Sequence, residues 1–450
     1  MNLIKRCIEL LPNSSKKKIN IILVIQFFKF LLEMIGIGII IPVIYLLAKG
    51  NEEVEKIISN YQFFSFFPQE FLRPENIIIF ILASIIFIFL IKFLFTIFSN
   101  LYEQKWAETA NVKTTCELFG FYTSDITDLA ARENYNLIRN LTTEINNFYK
   151  FFVRGIIQVF GETIKLIGIL VFLFFINPKI FITGLLIALI MALIFSKFFR
   201  KKIESYGAIK TRNSGLLIKH ITEGLNSVKE IKLSENPKYF FNLLKRYAKE
   251  NADIQVKFSM LAIYPRQILE ILSILIICGL VYYLSIIFPN QNSSSLFFLG
   301  VYITALIRII PIVNMLYVSF QQISYARTSF EVVEKELNKN ISKNNFFERE
   351  NSNNNFKTKI ESVEVKDLSF SYDKSIENLI ENVNFKFEKG KIYCLTGSSG
   401  AGKSTFINLL MGFIKPGTGS ISFNDNQNIN DHLAEWQNNI DYLSQKVFLL

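Results

Sequence analysis

The sequence predicts an α-helical membrane domain of six transmembrane helices, followed by an incomplete α/β domain of P-loop type. Three observations predict it. The 450 residues are 50% hydrophobic with 45 Phe, and the mean hydropathy is +0.30, a composition that suits lipid better than water. Six apolar segments reach spanning length, at residues 19–47, 77–99, 151–176, 180–199, 261–288 and 296–320. The period then changes near the C-terminus. Ser362-Val363-Glu364-Val365-Lys366 and Val383-Asn384-Phe385-Lys386-Phe387 alternate as half-buried strands do.

Residues 1–18 are short, amphipathic and basic, with Lys5, Arg6, Lys16, Lys17 and Lys18. They are expected as an interfacial helix leading into the first span. The apolar run after Lys18 is too long for the core of a cleavable signal. Residues 19–325 hold the six spans. The third and fourth are joined by Asn177-Pro178-Lys179, a tight hairpin. The fifth and sixth are joined by Pro289-Asn290-Gln291-Asn292 and three serines, without charge. The long connections, 100–150 and 200–260, keep helical periodicity. They read as continuations of the spans, with tips near 120–136 and 207–222.

Charge fixes the orientation. Lys16 to Lys18 precede span one, and Lys197, Arg200, Lys201 and Lys202 close span four. The loop between spans one and two is acidic, with Glu52, Glu53, Glu55, Glu70 and Glu75. By the positive-inside rule both termini and both long connections are cytoplasmic, in a cytoplasmic (inner) membrane. Topology and anionic lipid then account for the net charge of +11, and nucleic acid is excluded as a partner. Cys7, Cys116, Cys278 and Cys394 are scattered, and His220 and His432 each stand alone. Neither set forms a disulfide framework or a metal site.

Residues 326–359 are expected as a helical extension and an Asn-rich linker, ending in Asn351-Ser352-Asn353-Asn354-Asn355. Residues 360–450 form the α/β part. At its centre lies Gly397-Ser398-Ser399-Gly400-Ala401-Gly402-Lys403-Ser404-Thr405, which fits G-x-x-x-x-G-K-[ST]. The apolar stretch Lys391-Ile392-Tyr393-Cys394-Leu395-Thr396 before it reads as a strand, and the stretch from Phe406 to Gly412 after it as a helix. Glycines let successive backbone amides curl round one anion, and the helix N-terminus adds partial positive charge. Lys403 is expected to reach the β- and γ-phosphates of a nucleotide, and Ser404 to offer its hydroxyl to Mg²⁺.

Six spans, two long cytoplasmic hairpins and a C-terminal phosphate loop together resemble an ATP-binding-cassette (ABC) exporter half-transporter. Two more positions match the family. Tyr372, in Leu368-Ser369-Phe370-Ser371-Tyr372, stands where the family carries an aromatic residue that stacks on adenine. Gln445, ending Ile440-Asp441-Tyr442-Leu443-Ser444-Gln445, stands where it carries a glutamine that meets Mg²⁺ or the attacking water. The resemblance implies ATP and Mg²⁺ as cofactors, and a homodimer in which each site combines the phosphate loop of one subunit with the signature motif of the other. It places that signature, the Walker B aspartate, the catalytic glutamate and the switch histidine downstream of Leu450. The chain is thus expected to bind nucleotide without hydrolysing it. Residues 360–450 are expected not to bury a full core. We read the sequence as part of a longer protein, with a non-hydrolysing membrane regulator as the alternative if it ends at Leu450.

Charges inside the spans point to the cargo. Counted inward from the outer ends at about 1.5 Å per residue, Glu33 lies roughly 21 Å deep, Lys92 and Glu162 roughly 22 Å, and Arg308 roughly 18 Å. Lys165 is one turn from Glu162, Lys29 from Glu33, and Arg266 from Glu270. Lys92 and Arg308 have no local partner. Lys92, Arg266 and Arg308 are therefore expected to hold an anionic head group such as a diphosphate. Snorkelling, or pairing between helices in a dimer, is the alternative. The glycine-containing stretch Glu33-Met34-Ile35-Gly36-Ile37-Gly38-Ile39-Ile40-Ile41-Pro42 resembles exporters that flip lipid-linked oligosaccharides. The expected cargo is therefore lipid-linked or amphipathic, with a multidrug, lipid or peptide exporter as the alternative.

Overall fold

The computed structural model describes residues 2–49, 74–124, 133–176, 200–234, 237–287, 293–340, 359–371, 379–424 and 427–443, together with residues 178 and 182. Two compact units emerge, Met1–Glu117 with Tyr135–Asn338, and Leu118–Asn134 with Lys339–Leu450.

The first unit is helical. Helix α1 covers Asn2–Leu10. Pro12 separates it from α2, Asn13–Lys49, and its carbonyl accepts from the amides of Ser15 (2.8 Å) and Lys16 (3.0 Å). Helix α3 runs Pro74–Ser124. Helix α4 is a continuous run from Asn134 to Ile176 whose turn widens to π geometry at Asn140–Glu144 and again at Phe148–Val153. Helices α5 (Arg200–Asn226), α6 (Val228–Leu233), α7 (Pro237–Ile287), α8 (Ser293–Tyr325) and α9 (Arg327–Asn340) follow. Pro311 sits inside α8 without ending it, as membrane helices allow.

Three helices among the described residues are long and apolar enough to cross a membrane: Asn13–Ile39, Leu82–Ser124 and Asn134–Phe175. They coincide with the first three expected spans. The fifth and sixth expected spans fall in α7 and α8. The fourth lies outside the described residues, apart from residue 182. Helices α3 and α7 continue well beyond the apolar segments they contain, which is the geometry expected of the long hairpins. One tip is corrected. Residues 207–222 are not a turn but lie within α5; the chain turns at Ser227 and bends at Ser234. Gly207 and Gly215 in this stretch admit close neighbours: a Cβ on Gly207 would lie 2.1 Å from the carbonyl oxygen of Tyr325.

Small residues also set the packing of α2 on α4. A Cβ on Gly161 would fall 2.3 Å from Gln26 Oε1, and one on Gly168 2.1 Å from a ring carbon of Phe30. Where α4 meets α9, Phe148, Phe152 and Phe330 are fully buried, and the Phe152 and Phe330 rings stack 4.6 Å apart. Helix α1, expected on the bilayer surface, is tied into this region. Arg6 forks onto the carboxylate of Glu334 in α9, with Nε 2.6 Å from Oε1, and lies 5.4 Å over the Phe330 ring.

The second unit contains a four-stranded antiparallel sheet in the order β2-β1-β3-β4. Its strands are β1 (Ser362–Phe370), β2 (Ile380–Glu388), β3 (Thr418–Phe423) and β4 (Gln427–Asn428). Val365 pairs with Phe385 on one side and Ile421 on the other. Helices α10 (Lys403–Leu410) and α11 (Leu433–Gln437) complete the unit. Val365, Leu368, Phe370, Ile380, Leu409, Ile414, Ile421, Phe423, Ile429 and Trp436 form one buried cluster. Within 360–450 a limited core therefore forms, while Phe385, Ile392, Leu395 and Leu443 stay exposed. One expectation fails: Lys391–Thr396 joins no ladder, and Ile392 is 99% exposed. A strand exists through its neighbours, and among the described residues this stretch has none.

Candidate functional site

The phosphate loop folds locally as its residues dictate. Gly397 and Ser398 are irregular and exposed, Ser399 and Gly400 form the turn, and Ala401 leads to Gly402, which precedes the first residue of α10. Gly400 and Gly402 take φ of +85° and +81°, left-handed values that a side chain makes costly. The amide of Phe406 donates to the Gly402 carbonyl at 2.8 Å, starting the helix. The far end of α10 is held by α11: Trp436 Nε1 donates to the Leu410 carbonyl (2.8 Å) and Gln437 to that of Met411 (3.2 Å).

Lys403 curls over its own loop. Its ammonium donates to the carbonyls of Gly397 (2.8 Å) and Ser398 (2.6 Å). That brings the cation to the mouth of the turn, beside the amides of the first helical turn, which have no acceptor within a helix. The space beside Gly400 is open: a Cβ there would meet nothing within 4 Å. Ser404 is exposed at the mouth of the loop and Thr405 is buried, so the helix is anchored under the loop. Amide donors, a mobile ammonium and an adjacent hydroxyl are the donor set a nucleotide phosphate and its Mg²⁺ require, so the residues fit both. Tyr372 and Gln445 lie outside the described residues.

The candidate cargo residues divide. Lys92 Nζ lies 2.7 Å from Glu33 Oε2, and Arg308 NH1 lies 3.2 Å from Glu33 Oε1. Helices α2, α3 and α8 thus deliver one carboxylate and two cations to one point. The Phe89 ring lies under both, 5.5 Å from Lys92 Nζ and 5.1 Å from the Arg308 guanidinium carbon. Gly36 on α2 leaves room for that ring, 3.7 Å from where a Cβ would stand. Arg266 does not join them. It stays on its own helix, 3.8 Å from Glu270, on a face where its side chain is 64% exposed.

Of the three pairings read from helix spacing, Lys165–Glu162 and Arg266–Glu270 form and Lys29–Glu33 does not. Lys165 does reach Glu162 at 2.6 Å. Lys29 leaves Glu33 for Glu103 on α3, at 2.8 Å, where Gln26 and Asn100 complete a buried knot. Glu33 as the shared partner and Phe89 as the platform beneath were missed. The near-equal depths of Glu33 and Lys92 were the signal that could have found the pair.

Comparison with known proteins agrees with this geometry. Residues 380–450 match the family model described as "ABC transporter". The Multidrug resistance-like ATP-binding protein MdlA of Buchnera aphidicola subsp. Baizongia pistaciae is 24% identical over 382 residues, covering 83% of this chain and 63% of that protein. The ATP-dependent lipid A-core flippase of Idiomarina loihiensis is 48% identical over 66 residues, 15% of this chain and 11% of that one. The chain therefore spans less than two thirds of these relatives. A solved structure, a bacterial Atm1-family ABC exporter with ATP bound, superposes with a TM-score of 0.66 at 16% identity, covering 95% of this chain and 71% of that one. Residues 380–450 thus match the ABC transporter family model, and the chain has the fold seen in a bacterial ABC exporter.

Proposed function

We propose that this chain is the membrane and nucleotide-sensing part of an ATP-driven exporter or flippase that moves an amphipathic, lipid-linked substrate across the cytoplasmic membrane as a homodimer. The observation that carries it is the phosphate loop, with Lys403 folded over its mouth, in a chain whose first unit has the exporter fold. Lys403 would leave its two carbonyls for the β- and γ-phosphates, Ser404 and Gln445 would hold Mg²⁺, and Tyr372 would stack on the base. Nucleotide held at this loop draws two such domains together, and the helical hairpins pass that motion to the spans. Support for a lipid-linked cargo, possible oligosaccharide included, comes from the stretch Glu33–Pro42 and from the polar cluster inside the spans. The likeness to a lipid A-core flippase covers 15% of the chain and leaves the cargo to experiment.

The test is nucleotide binding by the full chain in dodecyl maltoside micelles, read with a fluorescent ATP analogue and Mg²⁺. Lys403→Ala removes a charge-assisted contact of about 1.5–3 kcal/mol, so the dissociation constant should rise tenfold or more. Equal affinity in wild type and variant would overturn the assignment.

A further inference from the structure

Lys92, Arg308 and Glu33 are unlike the other ion pairs inside the described spans. Glu162 with Lys165, and Lys29 with Glu103, each match one cation to one carboxylate. Among the described residues, two cations share the Glu33 carboxylate, which gives that cluster a net charge of +1. It is also not sealed. The side chains of Lys92, Glu33 and Arg308 are 21%, 13% and 19% exposed, so the cluster is partly open. An unmatched charge at mid-membrane depth is costly unless it faces a cavity or a counter-ion.

We propose that Lys92 and Arg308 seat the headgroup of a singly charged anionic amphiphile, such as a phosphodiester lipid. Glu33 and Phe89 are the positioning residues that hold the two cations apart and aimed at it. This deepens the reading of the chain as an exporter and rests on it. The charge count sets the class. One negative charge brings the cluster to neutrality with Glu33 still in place, whereas a diphosphate would overshoot. Depth sets the source. A cluster roughly 18–22 Å from the outer ends of its spans is reached by a headgroup whose chain stays among apolar helices. The helices that carry the cluster are otherwise apolar there, with Ile86, Leu90 and Phe93 on α3 and Ile307 on α8 exposed on other faces. Arg266 takes no part.

The experiment is thermal unfolding of the full chain in dodecyl maltoside without nucleotide. Four probes are titrated: methyl dodecyl phosphate (one charge), dodecyl phosphate (up to two), zwitterionic dodecylphosphocholine, and inorganic phosphate. Wild type should gain melting temperature with methyl dodecyl phosphate and not with the last two. Lys92→Gln and Arg308→Gln, each judged against its own baseline, should weaken that response at least tenfold. Glu33→Gln, which raises the net charge to +2, should shift the preference to dodecyl phosphate. Arg266→Gln should respond as wild type does. An equal response to dodecylphosphocholine, or an unchanged response in both cation variants, would overturn the proposal. Stabilisation by inorganic phosphate alone would overturn the amphiphile as its source. No nucleotide is present, so failure here leaves the Lys403 test standing, and failure there leaves this one standing.

Discussion

A single atom decides what several positions tolerate. Gly207 lies in α5, where a Cβ would sit 2.1 Å from the Tyr325 carbonyl oxygen, a backbone atom at the end of α8 that cannot swing away. Gly207→Ala must therefore push two helices apart, at about 1–3 kcal/mol. Gly38 is the contrast. It lies in α2 with nothing within 4 Å of its would-be Cβ, so Gly38→Ala loses only chain freedom and should stabilise by about 0.5–1 kcal/mol. Thermal unfolding in micelles should move the two melting temperatures in opposite directions; a shared direction would show that α5 does not approach Tyr325 so closely. The same scale explains why Lys29 was misassigned. Partners one turn apart on a helix gain only about 0.2–0.5 kcal/mol. Glu103 is 7% exposed and accepts from Gln26 as well, so Lys29 finds there a site its own helix cannot offer.

Elements were legible where a local pattern suffices. The phosphate loop is nine consecutive residues, so its turn and helix could be read directly. The spans were legible because lipid demands long apolar runs. What was hidden depends on partners distant in sequence. Lys391–Thr396 has the composition of a strand and lacks a ladder among the described residues. The π turns of α4 have no short signature, and their reason lies elsewhere. The second residue pair of interest there is Arg139 and Glu144. Glu144 is 0% exposed, accepts from Ser329 Oγ on α9 (2.6 Å) and Thr211 Oγ1 on α5 (3.4 Å), and lies 3.6 Å from Arg139 Nε. One carboxylate thus ties three helices, from a π turn that re-aims it. Glu144→Leu leaves the Arg139 charge, 15% exposed, without its counter-ion and should cost about 3–5 kcal/mol. Adding Arg139→Met should recover most of that loss, because the desolvated charge is then gone. A double variant no more stable than Glu144→Leu would mean that the hydroxyl contacts, and not the charge pair, hold the three helices.

For the whole molecule the orientation in the bilayer governs everything else, since cargo, nucleotide and leaflet must be on the right sides. By the positive-inside rule, basic residues before span one and after span four, against an acidic loop between spans one and two, predict the long extensions of α3 and α7 in the cytoplasm and the start of α8 outside. Cysteine chemistry tests this with residues the chain already has. Cys116 is exposed on the extension of α3, whereas Cys7 is buried and its thiol is pushed up to about 12, so it stays protonated and unreactive. With Cys278 and Cys394 changed to Ala, a membrane-impermeant maleimide should label Cys116 in inverted vesicles and not in intact cells. Ser294→Cys, placed at the start of α8 with Cys116→Ala added, should label in intact cells instead. Labelling of Cys116 from outside would reverse the orientation. The phosphate loop would then face a compartment without ATP, and the exporter reading would fall with it.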